Sequence, residues 1–232
     1  MDIYNGRFGR RWNHLLRKLV VLPRMKKALK VESATVLCNN CNAGVVLHDL
    51  GLRFDSPTVN MFFYHLDFFD FIEHLQDYLS VDPVRCDHPK YVPEIPYPVM
   101  TLPGINGNPD LELHFMHYGS EEEVLDSWKR RRERIDFDQL HVMWTFFGRV
   151  SPEVENSSLY DRFERLPVKK KVAFVNHPVD EKKYPSLFYI KGFEQEEGLG
   201  VLTLYSGLTG KRYIDQFPSV HWLNQLTESA RG

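Results

Sequence analysis

The stretch that decides the fold is Ser33-Ala-Thr-Val-Leu-Cys38, followed by Asn39-Asn-Cys-Asn-Ala-Gly44 and then by Val45-Val-Leu-His-Asp-Leu50 before Gly51. The first six residues are largely β-branched and apolar, which predicts a short buried strand. The polar run that follows contains a glycine and predicts a turn, and Val45–Leu50 predicts a helix that Gly51 ends. A buried strand that turns into a helix is typical of an α/β domain.

The rest of the chain continues this alternation of strands and helices. Apolar spacing and a capping box predict helices at Asp67–Leu79, Ser120 to about Ile135, Leu159–Leu166 and near Asp215–Leu226. Short apolar or alternating runs predict strands at Pro98–Leu102, Leu111–Tyr118, Leu140–Phe147, Lys171–Asn176, Leu187–Phe193 and Gly200–Tyr205. We therefore predict one three-layer α/β/α domain over residues 31–232, with a largely parallel central sheet.

The charge of the chain is unevenly distributed. Among 232 residues, 29 Lys and Arg nearly balance 31 Asp and Glu, but residues 1–30 hold nine basic side chains and one acidic one. This leaves 20 basic and 30 acidic residues in 31–232, so an acidic body follows a basic leader. Apolar residues recur in the leader at near-helical spacing, which predicts a basic amphipathic helix: Trp12, Leu15, Leu16, Leu19, Val20 and Leu22.

Two interpretations of this leader are open. The helix packs its apolar face on its own domain, or residues 7–30 contact an anionic membrane surface or an acidic partner. Nucleic acid is disfavoured as a partner, because the acidic body would repel phosphate. The chain has neither an apolar run of about 18–20 residues nor a signal-like start, so we predict a cytoplasmic protein, with peripheral contact at the inner membrane face as the alternative.

The chain has three cysteines, which is a poor basis for a disulfide framework. The Cys38-Asn-Asn-Cys41 spacing allows a redox dithiol, or a zinc site completed by Cys86 and His88. A single CxxC motif is a weak signal, and Cys86-Asp-His88 is an unusual second half for a zinc site. We therefore predict free thiols and no metal.

The turn after the first strand is the first candidate site. Ligands of open α/β sheets bind outside the carboxyl ends of strands, where a helix N-terminus attracts anions. Asn39, Asn40 and Gly44 are candidate ligand-binding residues there, and Cys41 is a candidate nucleophile; the alternative is a purely structural turn. The chain contains neither GxGxxG nor GxxxxGK[ST], which argues against Rossmann dinucleotide binding and a P-loop.

Two further segments carry polar side chains at element ends. Ser56, Thr58 and Asn60 follow a loop, where they either bind a ligand or cap a helix near Pro57. His117 and Tyr118 stand at the end of a predicted strand, where a histidine can act as a general base, although a lone histidine is more often structural.

The helix that begins near Ser120 places Trp128 and Arg131 on one face with Val124 and Ile135. An arginine on an apolar face must find a carboxylate, backbone carbonyls or a ligand anion. Trp128, Arg131 and the following Arg134 are therefore candidate binding residues, with an internal ion pair as the alternative for Arg131.

These motifs together resemble a bacterial family of unassigned activity whose members are labelled exopolysaccharide or capsule biosynthesis proteins. The resemblance rests on Asn39-Asn-Cys41 with Gly44, on Phe54-x-Ser-Pro-Thr-Val-Asn60, on His117-Tyr118, and on Trp128-x-x-Arg131-x-x-Arg134. It spans about residues 33–226. It implies a single three-layer α/β domain and a role in surface-polysaccharide assembly.

Residues and resemblance together favour a transferase of acyl or glycosyl type. Its donor would carry phosphate, as a nucleotide sugar or a coenzyme A ester does, and its acceptor would be a hydroxyl of a glycan. His117 would take the hydroxyl proton and arginine would hold the phosphate. Acyl transfer through Cys41 is one alternative, and a non-catalytic component of the glycan pathway is another.

Overall fold

A parallel sheet forms the centre of the molecule. The structure, a computed structural model, describes residues 3–92, 96–146, 156–194 and 202–225. Within these ranges the central sheet has four strands, in the order β1 (Thr35–Cys38), β5 (Leu140–Thr145), β6 (Lys171–Val175) and β7 (Leu187–Tyr189). Each neighbouring pair is parallel, with Thr35 opposite Leu140 at the start of the first pair. The predicted parallel sheet is therefore confirmed.

Helices cover both faces of this sheet. One face carries α1 (Arg7–Leu16), a π-helix (Arg17–Val21), α2 (Leu22–Ala28), α3 (Asn42–Leu50), a 3-10 helix (Tyr213–Gln216) and α8 (Ser219–Asn224). The other carries α4 (His65–Glu73), α5 (Leu75–Leu79), α6 (Glu121–Arg132) and α7 (Asn156–Arg165). Because side chains alternate along a strand, Val36 and Cys38 join one core while Leu37 joins the other. This is the predicted three-layer α/β/α architecture.

The predicted strands at Pro98–Leu102 and Leu111–Tyr118 do not belong to the central sheet. They form a separate antiparallel sheet, β2 (Val84–Arg85), β3 (Val99–Leu102) and β4 (Leu111–His114), which packs on the same core as α4. Strand β4 ends at His114, so His117 stands in the turn beyond it. His114 is fully buried, whereas His117 is exposed.

Three predicted elements differ from the structure. The helix expected at Asp67–Leu79 is divided at His74, whose backbone leaves the helical region (φ −119°, ψ 37°). The helix expected from Asp215 begins at Ser219, because Pro218 separates it from the preceding 3-10 helix. Within Gly200–Tyr205, the described part forms an isolated antiparallel bridge from Tyr205 to Arg212 and no extended strand, and the Asn5 side chain bonds the Tyr205 backbone. Phe147, Gly200, Val201 and Leu226 lie outside the described residues.

The N-terminal helix turns an unexpected side toward the domain. Gly9, Asn13 and Arg17 are buried, whereas Trp12 and Leu19 are 52% and 62% exposed. The helix thus packs on its own domain with its basic side chains exposed, but it does so through polar contacts, and Trp12 and Leu19 of the apolar stripe do not pack against the core. No helix in the described ranges is both long enough and apolar enough to cross a membrane.

Two buried histidines should make the fold sensitive to acid. Burial lowers the pKa of His65 to about 3 and that of His141 to about 4. His65 Nδ1 accepts a hydrogen bond from Trp144 Nε1 (3.0 Å), which requires an unprotonated nitrogen. Both pKa values lie below those of the unfolded chain, so the stability present above about pH 6.5 declines as the pH falls toward the folded values.

We expect the free energy of unfolding to fall by about 1.4 kcal/mol per pH unit for each histidine between about pH 6 and pH 4. Urea titrations across this range measure the slope. His65→Asn should reduce this slope by about 1.4 kcal/mol per pH unit. His88 is exposed, so His88→Asn is the control for the loss of an imidazole. An unchanged slope in His65→Asn would contradict the assignment.

Candidate functional site

A cavity of about 850 Å³ opens at the carboxyl end of β1, beside the start of α3. The N-terminal helix forms one part of its lining, and the loop after β4 contributes His117. Its lining residues are His14, Arg17, Lys18, Leu22, Cys41, Gly44, Val45, His48, Asp49, Phe54, Asn60, His117, Thr203 and Arg212. This position is the one at which open α/β sheets bind ligands.

Four of the residues predicted from sequence meet in this cavity: Cys41, Gly44, Asn60 and His117. Cys41 is the N-cap of α3, and Gly44 lies in its first turn. A Cβ on Gly44 would stand 3.2 Å from Val59 Cγ1, so the absent side chain lets the Val59–Asn60 turn approach the helix closely. Asn60 itself has a left-handed backbone (φ 67°), which asparagine tolerates better than most residues.

The side chains of Asn39 and Asn40 stabilise the turn between β1 and α3 through internal hydrogen bonds. Asn39 is fully buried; its Nδ2 donates to the Thr145 carbonyl (2.9 Å) and its Oδ1 accepts from the Thr145 N–H (2.8 Å). Asn40 Oδ1 accepts from the Asn42 N–H (3.0 Å) and from the Cys38 thiol (3.2 Å). Their amides hold β1, β5 and the start of α3 together, and neither residue lines the cavity.

Ser56 and Thr58 hold the turn that carries Asn60. Both are buried, and their hydroxyl oxygens are 2.9 Å apart. Thr58 Oγ1 also accepts from the Cys38 N–H (3.0 Å), which ties this loop to the last residue of β1. Their polar atoms are thus used within the protein, and their contribution to the cavity is the placement of Asn60.

Tyr118 and Arg131 support the same turn from the other side. The Tyr118 hydroxyl and Arg131 Nη1 both donate to the Val59 carbonyl, at 3.1 and 2.9 Å, and Arg131 also donates to the Tyr118 hydroxyl. Burial raises the pKa of Tyr118, which keeps the hydroxyl protonated. Arg131 therefore meets its need for partners with a backbone carbonyl and a phenol rather than with an internal carboxylate.

Tyr118 and Arg131 are not among the cavity-lining residues, and neither are the other two residues of the helix motif. Trp128 is a core residue with 1% exposure, and its Nε1 donates to the Val81 carbonyl (3.3 Å). Arg134 is half-buried just beyond the end of α6. The residues predicted to bind a ligand therefore fall into two groups: some line the cavity, and the others support the backbone and core around it.

Sequence reasoning missed the cationic side of the cavity. His14 and Lys18 come from the N-terminal helix, His48 from α3 and Arg212 from the turn before the 3-10 helix. The four-residue spacing of His14 and Lys18 in a helical pattern was a usable signal. It could not be joined to the strand-end motif, because nothing local indicates where the leader docks.

A buried ionic cluster docks the leader. Arg17 Nη2 lies 2.6 Å from Asp49 Oδ2, and its Nη1 lies 2.6 Å from Asp215 Oδ2. Arg212 Nη1 lies 2.9 Å from the same Asp49 oxygen. The approach is close: a Cβ on Gly210, which has φ +73°, would stand 2.6 Å from the Arg17 backbone nitrogen. Two arginines balance two aspartates, so the cluster is neutral.

Since this cluster is neutral, the charge of the cavity depends on its other residues. Among the described lining residues outside the cluster, Lys18 is the permanently charged side chain, and His14, His48 and His117 offer ring nitrogens as hydrogen-bond partners. The N-terminus of α3 adds the positive end of a helix dipole. The cavity is therefore suited to an anion.

The cysteines are not arranged for redox or metal chemistry. Burial raises the pKa of Cys38 to about 12 and that of Cys41 to about 11, which keeps both thiols protonated at neutral pH, the opposite of an activated dithiol. All three cysteines are free thiols. Across residues 3–92, 96–146, 156–194 and 202–225, no group of three or more His, Cys, Asp or Glu side chains is placed to hold a metal ion.

The fold and the site define a three-layer α/β protein with a cationic cavity at the carboxyl edge of its parallel sheet. Residues 13–224 match the family described as "Domain of unknown function (DUF1919)", and the chain belongs to that family. It is also similar to an "Uncharacterized protein" of Haemophilus influenzae (strain ATCC 51907 / DSM 11121 / KW20 / Rd), with 36% identity over 200 residues, 86% of this chain and 88% of the relative. The resemblance to a bacterial family of unassigned activity is thereby confirmed at this level.

Proposed function

We propose that the protein is a transferase that takes an acyl or glycosyl group from a phosphate-containing donor, either a coenzyme A ester or a nucleotide sugar. The observation that carries this proposal is the cavity at the end of β1, which is lined by Lys18 and by three histidines together with the first turn of α3. Its volume of about 850 Å³ is within the range of small-molecule sites, about 300–1,000 Å³.

The side chains of the cavity suggest a division of roles. Lys18 and His14 on the helix, together with the N-terminus of α3, would bind the donor phosphates. His117, exposed in the loop after β4, would act as general base. Its imidazole takes the proton of the acceptor hydroxyl as the hydroxyl oxygen bonds to the acyl or anomeric carbon. The bond from that carbon to the coenzyme A sulfur or the nucleotide phosphate oxygen then breaks with its electron pair.

We further propose that the acceptor is a sugar hydroxyl of a bacterial surface polysaccharide. This part is supported by the motif resemblance, which runs from Asn39-Asn-Cys41 to Arg134. The exposed position of His117 agrees with an acceptor that reaches the cavity from solvent and leaves most of its length outside.

A thermal-shift screen with nucleotide sugars and coenzyme A esters tests donor binding. A bound donor at about one hundred times its Kd stabilises the fold by about 2.7 kcal/mol, which raises the Tm by about 5–10 °C for a chain of this size. Lys18→Gln should remove most of this shift, because it deletes a phosphate contact. Lys27→Gln is the matched control: Lys27 is exposed in the next helix and is outside the cavity lining.

Two results would overturn the donor site. One is the absence of a shift with both compound classes, and the other is an equal loss of shift in Lys18→Gln and Lys27→Gln. A shift without transfer to any offered glycan would favour the competing role, a non-catalytic glycan-pathway component that binds the same donor.

A further inference from the structure

The N-terminal helix has three distinct sides. With about 100° between successive residues, Gly9 and Asn13 share the side turned to the domain. Asn13 Nδ2 donates to the Gly207 carbonyl (2.7 Å), and Asn13 Oδ1 accepts from the Gly210 N–H (2.9 Å). Arg17 continues this side with its buried ion pairs. The helix is therefore anchored by polar contacts, to which Trp12 adds an Nε1–H hydrogen bond to the Leu208 carbonyl (3.2 Å), while most of its large apolar surface faces outward.

The second side is an apolar ridge formed by Phe8, Trp12, Leu15 and Leu19, which follow one another at helical spacing. Their exposed fractions are 85%, 52%, 49% and 62%. A helix that serves only its own core buries its apolar stripe and exposes its polar side, and this helix does the reverse. Exposed apolar side chains gathered on one face mark an interaction surface, whereas scattered ones do not.

The third side is a basic strip beside the ridge. Arg7, Arg11 and Lys18 lie on it with His14, all exposed. Arg10 joins them around a groove of about 660 Å³ that is lined by Asn5, Arg7, Arg10, Arg11 and His14. A cationic strip next to a ridge of Phe, Trp and Leu is the pattern of helices that lie in the plane of an anionic membrane surface.

The charge beside the ridge indicates which kind of partner this surface binds. If a second copy packed its ridge against this one through a twofold axis perpendicular to the helix, the two arginine strips would be brought side by side and would repel each other. An anionic lipid surface instead offers apolar chains to the ridge and phosphates to the strip. Residues 31–232 hold 20 basic and 30 acidic side chains, so the same surface would repel them. The protein would therefore bind the surface with the N-terminal helix facing it.

We propose that the helical segment Arg7–Val21 docks the protein on an anionic phospholipid surface. The apolar ridge enters the boundary between headgroups and acyl chains, and Arg7, Arg10 and Arg11 contact lipid phosphates. His14 lines both the basic groove and the cavity, so docking brings the cavity opening to the headgroup layer. The proposal does not rest on the proposed transferase activity.

Co-sedimentation of the full chain with vesicles tests this docking. The protein should sediment with vesicles that contain phosphatidylglycerol and much less with phosphatidylcholine alone, and high salt should release it. Phe8→Gln combined with Leu19→Gln should lower the partition coefficient by more than about tenfold, since it removes two apolar anchors. Val84→Gln with Phe137→Gln is the matched control, because these apolar residues are 49% and 51% exposed elsewhere.

Tryptophan fluorescence gives a second, local measurement. Trp128, Trp144 and Trp222 are buried, whereas Trp12 is 52% exposed on the ridge. The emission should therefore shift to the blue when anionic vesicles are added, and Trp12→Phe should lose this shift while it still sediments.

Three results would overturn the proposal. They are equal sedimentation with neutral and anionic vesicles, equal loss in the ridge and control variants, and a wild-type dimer that the ridge variant converts to a monomer without any lipid binding. The last result would make the ridge a subunit interface. An unchanged Tm in each variant shows that the fold is intact.

Discussion

Replacement of Arg17 by methionine should lower the free energy of unfolding by about 3–5 kcal/mol, the cost of removing one partner from a buried ion pair. Arg17 has 4% side-chain exposure and joins Asp49 to Asp215, so its loss leaves two buried aspartates with Arg212 as the remaining cation of the cluster. Methionine keeps much of the volume of the side chain, so the effect reports on charge and hydrogen bonding rather than on a cavity. Urea unfolding of the two proteins measures the difference.

A double variant makes the Arg17 prediction specific. Arg17→Met with Asp215→Asn restores the charge balance, because one arginine again faces one aspartate, and it should be more stable than Arg17→Met alone. Arg85→Met is the control: the Arg85 side chain is 73% exposed and pairs with Asp87 at 3.4 Å, so its loss should cost less than about 1 kcal/mol. Equal effects at Arg17 and Arg85 would contradict the role of the cluster.

Replacement of His117 by alanine should lower the rate of transfer by about 10²–10⁴-fold and leave donor affinity nearly unchanged, because a general base acts on the acceptor proton and does not hold the donor phosphates. His117 is exposed, so the free energy of unfolding should change by less than about 0.5 kcal/mol. Single-turnover transfer and equilibrium binding, measured with the donor found by thermal shift, separate the two effects.

Matched variants distinguish the base from its alternatives. His88→Ala removes an exposed histidine that does not line the cavity, and it should keep the full rate. Cys41→Ser should also keep the rate, since burial raises the pKa of Cys41 to about 11 and disfavours the thiolate. A Cys41→Ser protein that binds donor without transferring it would instead assign the nucleophile to Cys41. Full activity in His117→Ala would remove the histidine from the mechanism.

The parts of the fold that were predicted correctly depend on residues close together in sequence. The strand, turn and helix of residues 33–51 follow from local apolar patterning and from Gly51, which ends α3 with a left-handed backbone (φ 78°). The cap of α6 was visible as Ser120 followed by Glu123, and Ser120 Oγ accepts from the Glu123 N–H (3.2 Å) as expected. Alternation of such local elements was sufficient to predict a parallel, three-layer domain.

The site was harder to predict, because the same residue types serve as ligand contacts and as internal braces. Asn39 and Asn60 have the same side chain, yet Asn39 is fully buried on Thr145 whereas Asn60 faces the cavity. Arg131 was correctly expected to need a partner, but the partner, the Val59 carbonyl, lies 72 residues away in the chain. The periodicity of a helix or strand predicts which of its faces a residue lies on. It does not predict which residues of other elements contact that face.

The sequence by itself determined the class of fold, the strand-end turn that begins the cavity and the basic, apolar character of the leader. Only the tertiary structure decided that this leader is a wall of the cavity, and that its apolar ridge faces outward. The physical reason is that these outcomes depend on contacts such as Arg17 with Asp215, which are 198 residues apart. The spacing of residues in a helix determines the angles between their side chains. Which face packs on the domain depends on where distant residues offer buried charges and hydrogen bonds.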